Sequence, residues 1–253
     1  MLDINKINTL SGTDIYWNML VDSTNTQARK KIFDGARLPF AYIADVQTAG
    51  RGRMGRKFYS RGGGIYMSFA FKTGSVNSSV SVTTAAAAAV TKALYECCDG
   101  DFQIKWVNDI YQNGKKVCGI LTEAISGIGE ENFIIVGIGI NVGKNKFPVE
   151  IRNIAGSVTL KSSKEELIAR VIRLLREFSD NMSNRSYMDF YREHFMLLGE
   201  SVSALCEGKT VLGHVTGVDD DGGLLLLPDG EAAPTRIFSG EVTIRPTNDL
   251  SND

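Results

Sequence analysis

Residues 50–57 read Gly50-Arg51-Gly52-Arg53-Met54-Gly55-Arg56-Lys57, three glycines and four cations with no acid among them. Gly50, Gly52 and Gly55 have the spacing of a dinucleotide-binding fingerprint, which requires a strand before it and a helix opening within it. The continuation decides the matter. Arg56-Lys57-Phe58-Tyr59-Ser60-Arg61-Gly62-Gly63-Gly64 is no helix, and its cations would crowd a helix N-terminus. A doubly wound nucleotide-binding fold is therefore rejected. What remains is a loop that wraps an anion. Glycine lets the backbone come close to a ligand, and arginine offers a fork of donors that fits phosphate and carboxylate. Such a loop repels itself, so it is expected to be mobile until an anion arrives. A merely solvated basic loop, the plainer alternative, has no need of the interleaved glycines.

Outward from the loop, the pattern is α+β. Residues 15–21 read as a strand, and Ser23-Thr24-Asn25 supply N-cap chemistry for a helix carrying Ala28, Ile32 and Phe33. Residues 40–46 form a buried strand before the loop. Ile65, Met67, Phe69 and Phe71 alternate after it, as a period of two requires. Residues 79–98, with five consecutive alanines, read as a buried helix. Residues 109–123 read as a hairpin turning at Asn113-Gly114. Residues 133–142 make another apolar strand, 164–178 an amphipathic helix, and 187–195 a shorter one. After Gly199 short β-rich runs alternate with turn signals, which predicts a small barrel of about five strands. The expected division is 1–199 and 200–253, the last residues being a frayed tail.

Composition narrows the class. The formal net charge is -1, so the basic loop is a local feature on a near-neutral body, unlike a general nucleic-acid binder. Four cysteines form no Cys-x-x-Cys pair, and there are only two histidines, which argues against zinc and against a disulfide framework. No signal-peptide pattern or apolar run of about 20 residues occurs. A cytoplasmic location, away from membranes, is expected.

Lys105-Trp106-Val107-Asn108-Asp109 forms a second polar cluster at a strand-to-turn junction, with Lys115-Lys116 across the predicted hairpin. A single lysine is usually surface decoration. Several converging with an amide and an acid suggest one cleft. Gly139 to Lys144 fails as a phosphate loop, because three residues separate its glycines and Asn145 stands where Ser or Thr is required. No Ser-His-Asp or Cys-His set is visible, so nothing supports a covalent enzyme nucleophile.

In this order, Ser23-Thr24-Asn25, Gln47-Thr48-Ala49 with the loop, Lys105 to Asp109, Lys115 to Leu121, Gly137 to Val142 and Gly240-Glu241-Val242 to Arg245, the chain resembles the biotin–protein ligase family. The resemblance covers nearly the whole sequence. One departure is Val107, where the family usually has proline. The resemblance implies a mixed-sheet catalytic domain of the biotin/lipoate ligase type packed with helices, followed by a small Src-homology-3-like β-barrel. It implies ATP and biotin as substrates with Mg²⁺, held mainly by the ATP phosphates, and a biotin carboxyl carrier protein or carboxylase biotin domain as partner.

Residue roles follow from the same resemblance. Ser23, Thr24, Asn25, Gln47, Arg51, Gly52, Arg53, Lys116 and Gly119 match biotin-contacting positions. Arg53, Arg56, Lys105, Asn108, Asp109 and Asn141 are assigned to ATP and adenylate, and Arg51, Arg53, Lys105 and Lys116 to catalysis. Some family members carry an N-terminal helix-turn-helix. Here the biotin motif starts at Ser23, so a monofunctional ligase without DNA binding is expected. Family members include monomers and dimers, and a homodimer stays open. The nearest rival is a lipoate–protein ligase. A nucleic-acid module using the basic loop, with Phe58, Tyr59 and Tyr66 as stacking residues, is the rival from another class.

Overall fold

The computed structural model describes residues 2–73, 79–128, 131–206 and 208–245. The first half runs α1 (Ile4–Ser11), β1 (Asp14–Val21), α2 (Thr24–Phe33), β2 (Phe40–Gln47), β3 (Ile65–Thr73), α3 (Ser79–Cys97), β4 (Cys98–Asp99), β5 (Gln103–Lys105), β6 (Asp109–Gln112) and β7 (Lys115–Ile128). The second half runs β8 (Glu131–Ile140), β9 (Thr159–Leu160), α4 (Lys164–Asp180), α5 (Tyr187–Glu193), β10 (Ser201–Cys206), β11 (Lys209–Val218), β12 (Leu224–Pro228), β13 (Thr235–Ile237) and β14 (Glu241–Ile244).

Seven strands form one mixed sheet in the order β1-β2-β3-β8-β7-β6-β5. Only the β1–β2 pair is parallel, joined through α2. The strands on either side of the glycine-arginine loop, β2 and β3, pair antiparallel. A dinucleotide fold would need a helix and a parallel partner there. The loop instead folds back on itself through an Arg51–Lys57 bridge and one 3-10 turn at Arg53–Gly55.

The alternation in β3 sorts its side chains between two cores. Ile65, Met67, Phe69 and Phe71 join the cluster that includes α1, α3, α4 and α5. Ala70 faces the smaller cluster built on Ala28 and Ile32 of α2. The alanines of α3 are strong helix formers with small side chains, and that helix packs closely against α4, α5 and β7. Helix α4 starts at a reciprocal capping box between Ser163 and Glu166. The hairpin turns at Asn113-Gly114 with positive φ at both positions, 51° and 70°, as a type I′ turn demands. Two features lie outside the sequence reading: α1, and the two-stranded β4–β9 pair.

β10 to β14 form a five-stranded antiparallel sheet in the order β13-β12-β11-β10-β14. Its inward residues, among them Val202, Val215, Leu224 and Val242, continue the larger core. Trp106 Nε1 donates to Gly222 O at 2.9 Å, fastening this sheet to the Lys105–Asp109 segment. The predicted C-terminal tail lies outside the described residues. No described helix is long and apolar enough to cross a membrane.

Candidate active site

A cleft of about 380 Å³ opens on the α2 side of the large sheet. One wall is the start of α2. Ser23 occupies the N-cap position, but its side chain makes no capping bond, and it lines the cleft beside Thr24 and Asn25. The sequence expectation of a side-chain cap is therefore not met. The Thr24 backbone N–H and hydroxyl both donate to Gln47 Oε1, at 2.8 and 3.1 Å. Gln47 ends β2 opposite Val21, so the parallel β1–β2 register is what brings it to α2. With its oxygen committed, Gln47 donates through Nε2 to Ser60 Oγ at 2.9 Å. Ser60 in turn donates to the Phe58 carbonyl at 3.0 Å, which pins the far end of the loop.

The floor is glycine. Gly119 of β7 and Gly139 of β8 are direct cross-strand partners. A Cβ on Gly139 would stand 2.3 Å from the Phe58 ring, and one on Gly137 would stand 2.2 Å from Asn25 Oδ1. Both positions admit no side chain because another residue of the site already fills the space. Gly137, Gly139, Phe58, Ser60 and Ser68 were not among the sequence-predicted site residues. Glycines inside a strand were the available signal for the first two.

The cationic end is built by the loop and the hairpin. Lys116 Nζ lies 2.6 Å from Asp109 Oδ1, across the β6–β7 pair. Asn108 donates through Nδ2 to Ile120 O at 2.8 Å and accepts Arg53 Nη1 at 3.3 Å. Arg53 Nη2 also donates to Gly240 O at 3.2 Å, and Arg56 pairs with Glu241. The loop therefore touches the C-terminal sheet at two points. Burial pushes the Arg53 guanidinium down from its usual value, with Asp109 and Glu241 opposing the shift. It stays a cation, because arginine's range starts so high. The hydrogen bond to Glu241 raises Arg56, and the same bond holds Glu241 below the usual carboxylate range.

The structure brings together all the sequence-predicted positions: Ser23, Thr24, Asn25, Gln47, Arg51, Gly52, Arg53, Arg56, Lys105, Asn108, Asp109, Lys116, Gly119 and Asn141 line the one cleft. Asn141 has a supporting bond as well, donating to Gly156 O at 3.0 Å. Lys115 turns away, toward Arg152 O. The loop differs from expectation in one respect. Its repulsion is met by carboxylates from elsewhere, Glu241 at Arg56 and Glu123 at Arg51.

Among the described residues, Arg51, Arg53, Arg56, Lys57, Lys105 and Lys116 line the cleft against two carboxylates, Asp109 and Glu241. On a body of net charge -1 this focuses positive potential in one place. Phe147, Ile151 and Ile154 add an apolar shelf beside the cations. An uncharged hydrogen-bonding nook, a glycine floor, a set of cations and an apolar shelf thus line one cleft. That combination of surfaces suits a ligand with both polar and apolar parts and an anionic group.

Comparison with known proteins bears on the same residues. The model of the biotin/lipoate A/B protein ligase family matches residues 17–141, and that of the biotin protein ligase C-terminal domain matches 197–245. The bifunctional ligase/repressor BirA of Bacillus subtilis is 31% identical over 244 residues, covering 92% of this chain and 74% of that protein. The biotin–[acetyl-CoA-carboxylase] ligase of Paracoccus denitrificans is 27% identical, covering 81% of this chain and 90% of that one. Among solved structures, the Aquifex aeolicus biotin protein ligase in complex with biotin and ATP superposes with a TM-score of 0.75 at 32% identity, covering 92% of this chain and 98% of that one. The chain belongs to the biotin/lipoate A/B protein ligase family, on its biotin protein ligase branch.

Proposed function

We propose that this protein joins biotin to ATP, giving biotinyl-5′-AMP and pyrophosphate, and then transfers the biotinyl group to a lysine of a biotin carboxyl carrier domain. One observation carries the reading: the uncharged nook of Ser23, Thr24, Asn25 and Gln47 opens directly into the end lined by Arg51, Arg53, Lys105 and Lys116. The ureido ring needs both donors and acceptors, which hydroxyl and amide side chains supply. Its carboxylate then falls among the cations.

The chemistry needs no enzyme nucleophile. In the first step a carboxylate oxygen bonds to the α-phosphorus while the bond to pyrophosphate breaks. Two anions must meet, so the demand is for positioning and charge neutralisation. In this reading Lys116 holds the carboxylate, and Arg53 and Lys105 the phosphate. The Phe147–Ile151–Ile154 shelf offers the apolar surface a base requires. In the second step the carrier amine bonds to the acyl carbon, AMP departs with the bridging oxygen, and the amine sheds a proton. Before that the mixed anhydride must be kept from water, a task suited to the glycine-arginine loop closing over it.

Among the described residues no cluster of three or more His, Cys, Asp or Glu is set to hold a metal. Magnesium would be carried chiefly on the nucleotide phosphates, with Asp109 and Glu241 as the carboxylates that line the cleft. We place the reaction in the cytoplasm, a reading supported by the buried thiols of Cys97, Cys98 and Cys118. We also assign residues 1–199 to the catalytic unit and the rest to a small accessory one.

The test is incubation with ATP and either biotin or lipoate, followed by mass measurement of the acyl-adenylate. Biotinyl-AMP is the expected product. Exclusive formation of lipoyl-AMP would overturn the assignment.

A further inference from the structure

Glu123 lies on β7 beyond the cleft wall. Side chains alternate along a strand, so Gly119, Leu121 and Glu123 share one face, and the first two line the cleft. The Glu123 carboxylate accepts Asn25 Nδ2 at 2.7 Å. Arg51 Nη2 lies 3.5 Å from the same oxygen, and Arg29 Nη2 lies 3.9 Å from the other. One carboxylate thus ties the start of α2 to the first arginine of the loop.

An ionised carboxylate only accepts hydrogen bonds, and this sets a direction. The Asn25 amide turns its NH₂ toward Glu123 at 2.7 Å and, at the longer distance of 3.4 Å, toward the Leu121 carbonyl, so its oxygen faces Ser68. Ser68 is fully buried, and its Oγ lies 2.5 Å from Asn25 Oδ1 and 2.8 Å from Thr24 Oγ1. Thr24 donates to Gln47, and Gln47 to Ser60. The Ser68 hydroxyl therefore gives its one proton to Asn25, whereas the Gln47 amide is oriented separately by the Thr24 backbone N–H. Gly137 leaves room for this arrangement, since a Cβ there would meet the Asn25 amide.

We propose that Glu123 is a positioning residue of the biotin site: it orients the Asn25 amide and steers Arg51 over the mouth of the cleft. The inference rests on the biotin-ligase reading. It is tested by calorimetric biotin binding, by KM for biotin and for ATP, and by thermal melts, for wild type beside Glu123→Ala, Glu123→Asp and Glu123→Gln. Glu123→Ala should raise the biotin Kd about tenfold, a ratio equal to about 1.4 kcal/mol. KM for ATP should stay within about twofold, and the melting temperature should hold. Glu123→Gln keeps an acceptor for Asn25 and should bind biotin more tightly than Glu123→Ala. Glu123→Asp stops one methylene short and should weaken biotin binding in the same sense, even if the alanine chain fails to fold. An unchanged biotin Kd in both Glu123→Ala and Glu123→Asp overturns the inference alone. So does an equal loss of biotin and ATP affinity with a lowered melting temperature. Absence of biotin binding by the wild type overturns the ligase reading and this inference together.

Discussion

Arg53 is the loop arginine drawn furthest into the protein, half-buried where Arg51 and Arg56 are exposed. It bridges Asn108 of the hairpin segment and the Gly240 carbonyl of the C-terminal sheet. A cation in that position can neutralise phosphate during adenylation and hold the loop closed afterwards. Replacing it removes both roles. Arg53→Ala should lower the rate of adenylation about 10²–10³-fold, the scale seen when one preorganised donor is lost. The adenylate that does form should escape into solution rather than stay with the protein. Lys116→Ala should slow the same step without that leak, because Lys116 sits on the hairpin and not on the loop. Filtration of a single-turnover reaction separates bound from free biotinyl-AMP. Wild-type rates in both variants would sink the role given to these cations.

Elements carry the site through their registers and caps. The parallel β1–β2 pair sets Gln47 beside Thr24, and the β7–β8 pair sets Gly119 against Gly139. Helix α4 supports the opposite face through its capping box. Ser163 Oγ accepts the Glu166 N–H at 3.3 Å, and Lys6 Nζ of α1 donates to Ser163 Oγ at 3.2 Å. Ser163→Ala should cost about 1 kcal/mol, a fall of about 2–4 °C in Tm for a protein of this size. Biotin KM should not move, since α4 is remote from the cleft. A changed KM with an unchanged Tm would contradict this. Much of the element structure was legible in the sequence because its signals are local: the period in β3, the Asn113-Gly114 turn, the alanines of α3. Of the candidate cleft, charge and glycine spacing marked the basic loop and the Lys105–Asp109 cluster, while Ser23, Thr24, Asn25 and Gln47 came only from the family resemblance. The bonds of Ser68, Ser60 and Glu123 were not legible, because each depends on which strand lies beside which. Ser68 reads in sequence as an ordinary small residue in an apolar strand. It becomes part of the site only when β3 passes beneath the start of α2. Helix α1 escaped notice because its apolar stripe is short and its main partner, α4, lies more than 150 residues away.

At the scale of the whole molecule, ion pairs join segments far apart in sequence. Glu96 of α3 meets Arg170 of α4, Glu166 of α4 meets Lys6 of α1, and Glu241 of β14 meets Arg56 of the loop. In each case the hydrogen bond from the partner holds the carboxyl below its ordinary value of 4.5. A depressed carboxyl adds stability that is present above the unfolded value and is lost as pH falls through the folded value. The partner cations, with Lys6 raised above 10.5, stay charged throughout. Thermal stability should therefore be flat from neutral pH down to about 5 and then fall on further acidification. The pairs are at least partly exposed to solvent, so each contributes modestly and salt weakens it. Melts between pH 7 and 3 at low and high salt test this, with a smaller acid loss expected at high salt. Arg56→Ala gives a further expectation at this scale. It should shrink the acid loss slightly, because Glu241 then loses the largest cause of its depression, with Lys105 and Arg53 still acting on it. A decline that already begins above about pH 6 would contradict the assignment of the loss to these carboxylates.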